Sequence, residues 1–246
     1  MTELFAMYEV GGKVRDEILG LKSKDVDYVA VPNEMLLRNY TEASDMFQVL
    51  CDYLTAEKFE IFLITPNCYT IRARFPQRHK YEGVADFVMA RRELGYISGT
   101  RTPKIVPGSL YDDLVRRDFR ANTLAKDNDG KIIDFFDGIE DIKNRLLRTP
   151  LDCQITFDDD PLRILRCGRF SITKDFRISD EIIDVIKEYD YEKKMMVVSS
   201  ERIREELFKC FKYDTMKTIL LLNKFPRLRD YIFIRTKLWL KPTFEE

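Results

Sequence analysis

The chain reads as an α+β fold, a mixed sheet with helices against it followed by helices alone. Two observations carry this. Apolar segments of β-branched and aromatic character around Phe5 to Val10, Val26 to Val31 and Phe59 to Ile64 alternate with helical stretches. From about Asp158 the strand patterns stop and only helical periodicity is left.

The elements follow in order. After the first apolar segment, Gly11 and Gly12 precede a helix carrying Val14, Ile18 and Leu19. Two further strands are predicted at Tyr69 to Phe75 and Val84 to Ala90, separated by the charged loop FPQRHKYEG. LYDDL reads as an acidic turn. Helices are predicted at Pro161 to Thr173, Asp180 to Glu188, Glu201 to Phe211 and Thr215 to Leu222, with a short basic end after them. The expected organisation is a catalytic head over 1–150 and a helical region over 151–246, with no flexible linker between them.

Composition narrows the function classes. With 246 residues the chain can bury one large core or two modest ones. No apolar run approaches the ~20 residues of a membrane span, so no membrane partner is expected. The start, MTELFAMYEV, lacks the basic region and small-residue cleavage site of a secretory signal, and a cytoplasmic protein is expected. Five widely spaced cysteines agree with a reducing compartment and form no zinc pattern. His79 is the sole histidine, which excludes any mechanism needing two. A net charge of -1 gives no global attraction to nucleic acid, so RNA binding would rest on local basic patches.

The stretch YEVGGKVRDEILGLKSKDVDYVA carries the chemistry. Side chains alternate along a strand, so Asp25 and Asp27 share a face and Val26 takes the other. Their Cα atoms would lie roughly 6.6 Å apart. Carboxylates so placed can converge on two divalent ions ~3.5–4 Å apart, the arrangement for in-line phosphoryl or nucleotidyl transfer. Asp86, in the strand of VADFVMARRE, is the candidate third ligand. The Gly11-Gly12 turn, at a helix N-terminus, favours an anion such as a triphosphate. A lone Gly-Gly is usually a tight turn and a lone DxD a solvated strand end; both, in this order within 20 residues, are more specific.

With these residues the sequence resembles the class II tRNA nucleotidyltransferases (CCA-adding enzymes) and bacterial poly(A) polymerases of the polymerase-β-like superfamily. GGKVRDEILG followed by KDVDYVA looks like the family's first motif, and VADFVMARRE, with Asp86, Arg91 and Glu93, like its third-carboxylate strand. RRDFRANTLA is similar to the RRDFTxNAxA block, and GKIIDFFDGIEDIKNRLLRT to the DxFGGxEDL segment, with Asp137 in place of a glycine. DDPLRILRCGRF resembles the base-recognition motif EDxxR and its helix, and SSERIREEL the neck helix. The resemblance extends from about Tyr8 to Phe211. It implies a polymerase-β-like mixed-sheet head followed by an all-helical neck and a truncated body.

The resemblance also implies roles. Asp25 and Asp27 would bind both Mg²⁺ ions of a two-metal site, and Asp86 the one that activates a primer 3′-hydroxyl. The Gly11-Gly12 turn, helped by Arg15 or Lys24, would hold the triphosphate, although Arg15 and Asp16 equally suit an ion pair locking the first helix. In RRDF, Arg117 would bind nucleotide, one of Arg116 and Arg117 being expected to pair with Asp112 or Asp113. Asp118 and Asn122, four apart on one helical face, would contact the ribose. Asp160 reads as an N-cap before Pro161, yet with Arg163 one turn on it also matches a base edge. An acceptor-only carboxylate beside a donor-only guanidinium suits the exocyclic amine and bare ring nitrogen shared by cytosine and adenine. Arg166 and Arg169 would continue toward triphosphate or primer phosphates, unless simply solvated.

The expected activity is template-independent addition of C and A to the 3′ acceptor end of tRNA from CTP and ATP, releasing pyrophosphate. Poly(A) polymerase or an A-adding enzyme shares the catalytic motifs, but FEIFLITPNCYTIRARF lacks the GRRFRL-like strand of that branch. A non-catalytic RNA-binding relative is disfavoured, because three clustered carboxylates would repel phosphate. The aromatic, basic end FPRLRDYIFIRTKLWLKP is open to three roles, an RNA-contacting patch, the face of a homodimer, or a remnant of a body domain, and packing is favoured.

Overall fold

The computed structural model describes residues 4–23, 25–97, 100 and 102–238. These divide into two compact units, one of residues up to 95 with 103–143, the other of 96–102 with 144 onward.

The first unit is built on strands β1 (Phe5–Val10), β2 (Val26–Pro32), β3 (Glu60–Thr65), β4 (Thr70–Arg74) and β5 (Val84–Met89), all at the predicted places to within about a residue at either end. The short ribbon β6 (Arg91–Tyr96) and β7 (Pro103–Pro107) follows, and then β8 (Ala125–Lys126) and β9 (Ile132–Ile133). The main sheet runs β3-β4-β5-β2-β1-β8-β9. Its centre is the parallel pair β2–β5, flanked by antiparallel partners.

Helices α1 (Gly12–Ile18), α2 (Glu34–Asn39), α3 (Ala43–Ala56), α4 (Leu110–Val115) and α5 (Gly138–Lys143) complete this unit. Strand alternation sorts the sheet into two faces. Val26, Tyr28, Ala30, Ile71, Ala73, Ala85, Phe87 and Met89 bury one face against Met46, Phe47, Leu50 and Leu54 of α3. Val10, Val29, Ala90 and Ala125 on the other face join Leu110 and Leu114 of α4 in a smaller core. That core covers only part of the second face. Asp27, Arg72, Arg74 and Asp86 stand on the remainder, because they alternate with residues of the larger core.

LYDDL is therefore α4 and not a turn. Ser109 accepts from the Asp112 N–H while the Asp112 carboxylate accepts from the Ser109 N–H, a capping box that the short acidic run conceals. Gly138 opens α5 where a Cβ would lie 2.3 Å from the Arg120 carbonyl oxygen, so no other residue fits. Asp137 just before it takes φ 59°, the left-handed conformation that glycine adopts without strain.

The second unit is helical, with α6 (Cys153–Asp159), α7 (Leu162–Thr173), α8 (Asp180–Glu188), α9 (Tyr191–Lys194), α10 (Ser200–Tyr213), α11 (Thr215–Lys224) and α12 (Pro226–Asp230), then a wider turn at Tyr231–Arg235. The expectation that strands end at Asp158 needs one correction. Arg177–Ile178 (β11) pairs in parallel with Leu146–Leu147 (β10), two residues each and too short to show a period. α7 lies against α10, burying Ile164, Leu165 and Gly168 with Ile203, Leu207 and Cys210. One face of IREELFKCFKY, with Ile203, Glu206, Leu207 and Cys210, is buried, as its amphipathic pattern predicts. The basic end past Leu238 lies outside the described residues. All five cysteines are free thiols, and no helix among the described residues is long and apolar enough to cross a membrane.

Candidate active site

The β2–β5 pairing sets Asp27 directly beside Asp86, in parallel register and on the same face. Asp25 lies two residues before Asp27, just ahead of β2 and exposed. The three carboxylates line one open cavity of about 450 Å³ together with Phe62, Arg72 and Val84. Burial pushes the Asp27 carboxyl above the usual range. The Arg117 guanidinium opposes that shift, while the charges of Asp86 and Asp25 add to it.

One residue that the sequence reading missed stands at the centre. Arg72 is paired with Asp86 across the antiparallel β4–β5 ladder. Its Nε donates to Asp86 Oδ1 and its Nη2 to Oδ2, both at 2.7 Å. The Asp86 carboxylate raises the Arg72 pKa in turn. The signal was the alternation in TIRAR, which puts Arg72 and Arg74 on the face opposite Ile71 and Ala73.

The donor set fits a divalent metal. Three carboxylates offer the hard oxygens such an ion prefers, and the guanidinium on Asp86 shows that the site accepts a cation. Among the described residues no three His, Cys, Asp or Glu side chains converge on one point.

Arg117 is the nucleotide-binding candidate that reaches this region. Its Nη2 donates to Asp113 Oδ2 at 3.0 Å. Arg116 pairs with the same carboxylate and with Glu93, so both arginines are anchored where only one was expected to be. Burial opposes the charge of Asp113, but the two guanidiniums hold its carboxyl below the usual range. Asp112, the other expected partner, is used in the capping box.

Gly11 takes φ 68° and ψ -126° ahead of α1. Its N–H donates to the Leu124 carbonyl at 3.1 Å, which removes one of the two amides assigned to an anion. Arg15 is buried and turned inward. Its Nε and Nη2 donate to Asp16 Oδ1 at 2.9 and 2.7 Å, and its Nη1 to Asn122 Oδ1 at 2.5 Å. The ion-pair alternative for Arg15 and Asp16 is therefore the one observed. Lys24 lies outside the described residues.

Asp118 and Asn122 do meet, but not on one α-helical face. Phe119 is extended and Arg120–Asn122 is a single 3₁₀ turn. Asn122 Nδ2 donates to Asp118 Oδ1 at 2.8 Å, and the same oxygen accepts from the Phe119 N–H at 2.9 Å. Both side chains are buried, and with Arg15 and Asp16 they form a hydrogen-bonded chain linking α1 to the RRDF block. His79 stacks on Phe75 with ring centroids 4.5 Å apart, a packing role.

In the helical unit, Asp160 is extended between α6 and α7, and its Oδ1 accepts from the Leu162 N–H at 3.1 Å, the capping contact expected of it. Arg163, half-buried, donates from Nη1 to the Thr156 carbonyl at 3.2 Å. Arg166 lies over the Phe170 ring, 5.7 Å from its centroid. Arg169 is neither solvated nor turned to an open phosphate site. Its Nε donates to Glu206 Oε2 at 2.6 Å and its guanidinium covers the same ring at 4.5 Å.

Comparison with known proteins places the fold. A tRNA nucleotidyltransferase solved with a primer tRNA and an incoming ATP analog is 25% identical, with TM-score 0.70 over 94% of this chain and 60% of its own. The CCA-adding enzyme of Bacillus stearothermophilus in complex with CTP is 25% identical, with TM-score 0.68 over 89% of this chain and 47% of its own. That of Thermotoga maritima complexed with tRNA-CCA is 26% identical, with TM-score 0.70 over 97% and 50%. The chain thus spans about half to three fifths of the length of these relatives. Residues 7–148 match the family model of the poly(A) polymerase head domain, an interval that includes Gly11, Asp25, Asp27, Asp86 and the whole RRDF block. The chain belongs to this poly(A) polymerase head-domain family, within the polymerase-β-like nucleotidyltransferases.

Proposed function

We propose that the protein is a template-independent nucleotidyltransferase that adds C and A residues to tRNA 3′ ends from CTP and ATP, releasing pyrophosphate. The observation that carries this is the side-by-side register of Asp27 and Asp86, with Asp25, on an open sheet face. Magnesium held by these three carboxylates would supply a lowered pKa for the primer hydroxyl and countercharge for the triphosphate. Arg117, fixed by Asp113, adds positive charge near Asp27. It would stabilise the charge that develops on the phosphates.

Base selection is assigned to Asp160 and Arg163. Acceptor beside donor suits the edge common to cytosine and adenine and opposes that of uracil and guanine. The buried set Asp118–Asn122–Arg15–Asp16 is better suited to bracing the RRDF block than to touching the ribose directly.

Two of the similar structures contain tRNA and two contain CTP or an ATP analog, which supports these ligand classes. A second reading, addition of A alone as by a poly(A) polymerase, is supported by the match of residues 7–148 to the poly(A) polymerase head domain. Incubation with tRNA lacking its 3′ end, Mg²⁺ and each labelled nucleotide in turn separates them. Incorporation of C followed by A supports CCA addition; ATP use with no CTP use supports the second reading.

A further inference from the structure

Arg72, Asp86 and Asp27 form one row across β4, β5 and β2, each directly opposite the next. The row is set by backbone pairing, so Arg72 cannot drift far from Asp86. Its guanidinium engages both carboxylate oxygens at 2.7 Å, a two-pronged contact that occupies the atoms Asp86 would present to a metal. The Arg72 side chain is 49% exposed and Asp86 28%, so the guanidinium can swing into the open cavity while the carboxylate stays in place. Arg74, the next residue on the same face of β4, is taken up elsewhere, donating to Glu60 at 2.9 Å.

We propose that Arg72 competes directly with divalent cations for Asp86, as a counterion built into the neighbouring strand. The proposal rests on reading Asp25, Asp27 and Asp86 as ion ligands. Binding of the ion at Asp86 requires the guanidinium contact to open, which weakens ion affinity and releases a positive group at the rim of the cavity. A well-formed but exposed ion pair of this kind is worth up to about 1 kcal/mol, or roughly fivefold in affinity.

Mn²⁺ titration of the full chain without nucleotide, followed by the electron paramagnetic resonance signal of the free ion, tests this. Wild type, Arg72→Gln, Arg74→Gln and Asp86→Asn are compared. The expected result is binding tighter by more than twofold and up to about fivefold in Arg72→Gln, within about twofold of wild type in Arg74→Gln, and weaker in Asp86→Asn. Unchanged or weaker binding in Arg72→Gln overturns the proposal. So does an equal gain in Arg74→Gln, since surface charge alone would then account for it. If wild type and Arg72→Gln both fail to bind Mn²⁺, the ion-ligand reading falls and the proposal with it, whereas failure of Arg72 alone leaves that reading in place.

Discussion

A Cβ built on Gly11 would lie 2.7 Å from Nη1 of Arg117, so the glycine turn and the second arginine of RRDF occupy adjoining space. Arg117 can hold this position only because Gly11 lacks a side chain. The φ of 68° and ψ of -126° exclude ordinary residues for a second, independent reason.

Gly11→Ala is expected to destabilise the first unit by roughly 1–3 kcal/mol through backbone strain. In a chain of this size that is about 2–4 °C in Tm per kcal/mol. It should also push the Arg117 guanidinium aside, so nucleotide incorporation should fall more than thermal stability does. Thermal melts and incorporation assays on the same preparation check this, and a variant with full activity and unchanged Tm would show that Arg117 does not depend on the bare turn.

The Arg169–Glu206 pair joins α7 to α10, and its disruption should loosen the helical unit. Burial opposes the charged form of Glu206, but Arg169 and Lys209 hold its pKa below the ordinary 4.5. Because the folded pKa is depressed, the pair stabilises the fold above the unfolded value. That contribution declines below about pH 4.5 and is lost as pH falls through the lower folded value. Glu206→Gln should cost roughly 1.5–3 kcal/mol at pH 7, as expected for a hydrogen bond to a charged group. Urea melts from pH 7 to pH 3 should show the gap between wild type and variant narrowing with acidity.

Strands β1 to β5 are legible because β-branched and aromatic runs alternate over five or more residues, and that alternation sets the face of Asp27 and of Asp86 within its own strand, whereas their adjacency comes from the β2–β5 register. Which residue faces Asp86 on its other side is not legible. The pairing of Arg72 depends on the β4–β5 register, which is set through the loop FPQRHKYEG. The spacing of Asp118 and Asn122 misleads, because a four-residue interval signals a shared face only if the segment is α-helical, and here it is an extended residue and a 3₁₀ turn. Arg166 and Arg169 read as pointing toward phosphates, or as solvated, because Glu206, the partner of Arg169, comes from α10 and is recognisable only once the helices pack.

Asp160 is where capping and base reading separate experimentally. Asparagine caps as well as aspartate, so Asp160→Asn should keep the contact to the Leu162 N–H and change stability little. Its amide can donate where the substrate base also donates. Discrimination against UTP or GTP should therefore relax about ten- to a hundredfold, the equivalent of roughly 1–3 kcal/mol. Arg163→Ala should lose C and A incorporation together, because one guanidinium would serve both bases. Relative incorporation of all four nucleotides on one primer is the measurement. An unchanged profile in Asp160→Asn with full activity in Arg163→Ala would reduce DDPLR to a helix start.

The carboxylate row of β2 and β5 is tested most directly by incorporation of labelled CTP and ATP into a tRNA lacking its 3′ end, comparing wild type with Asp27→Ala in the presence of Mg²⁺. Asp27 is half-buried on the open face and outside both hydrophobic cores, so the variant should fold with a Tm close to that of wild type. Active wild type and a folded Asp27→Ala protein whose incorporation falls to background are the expected pair of results. Near-normal incorporation by folded Asp27→Ala would contradict the assignment of nucleotidyl transfer to these carboxylates.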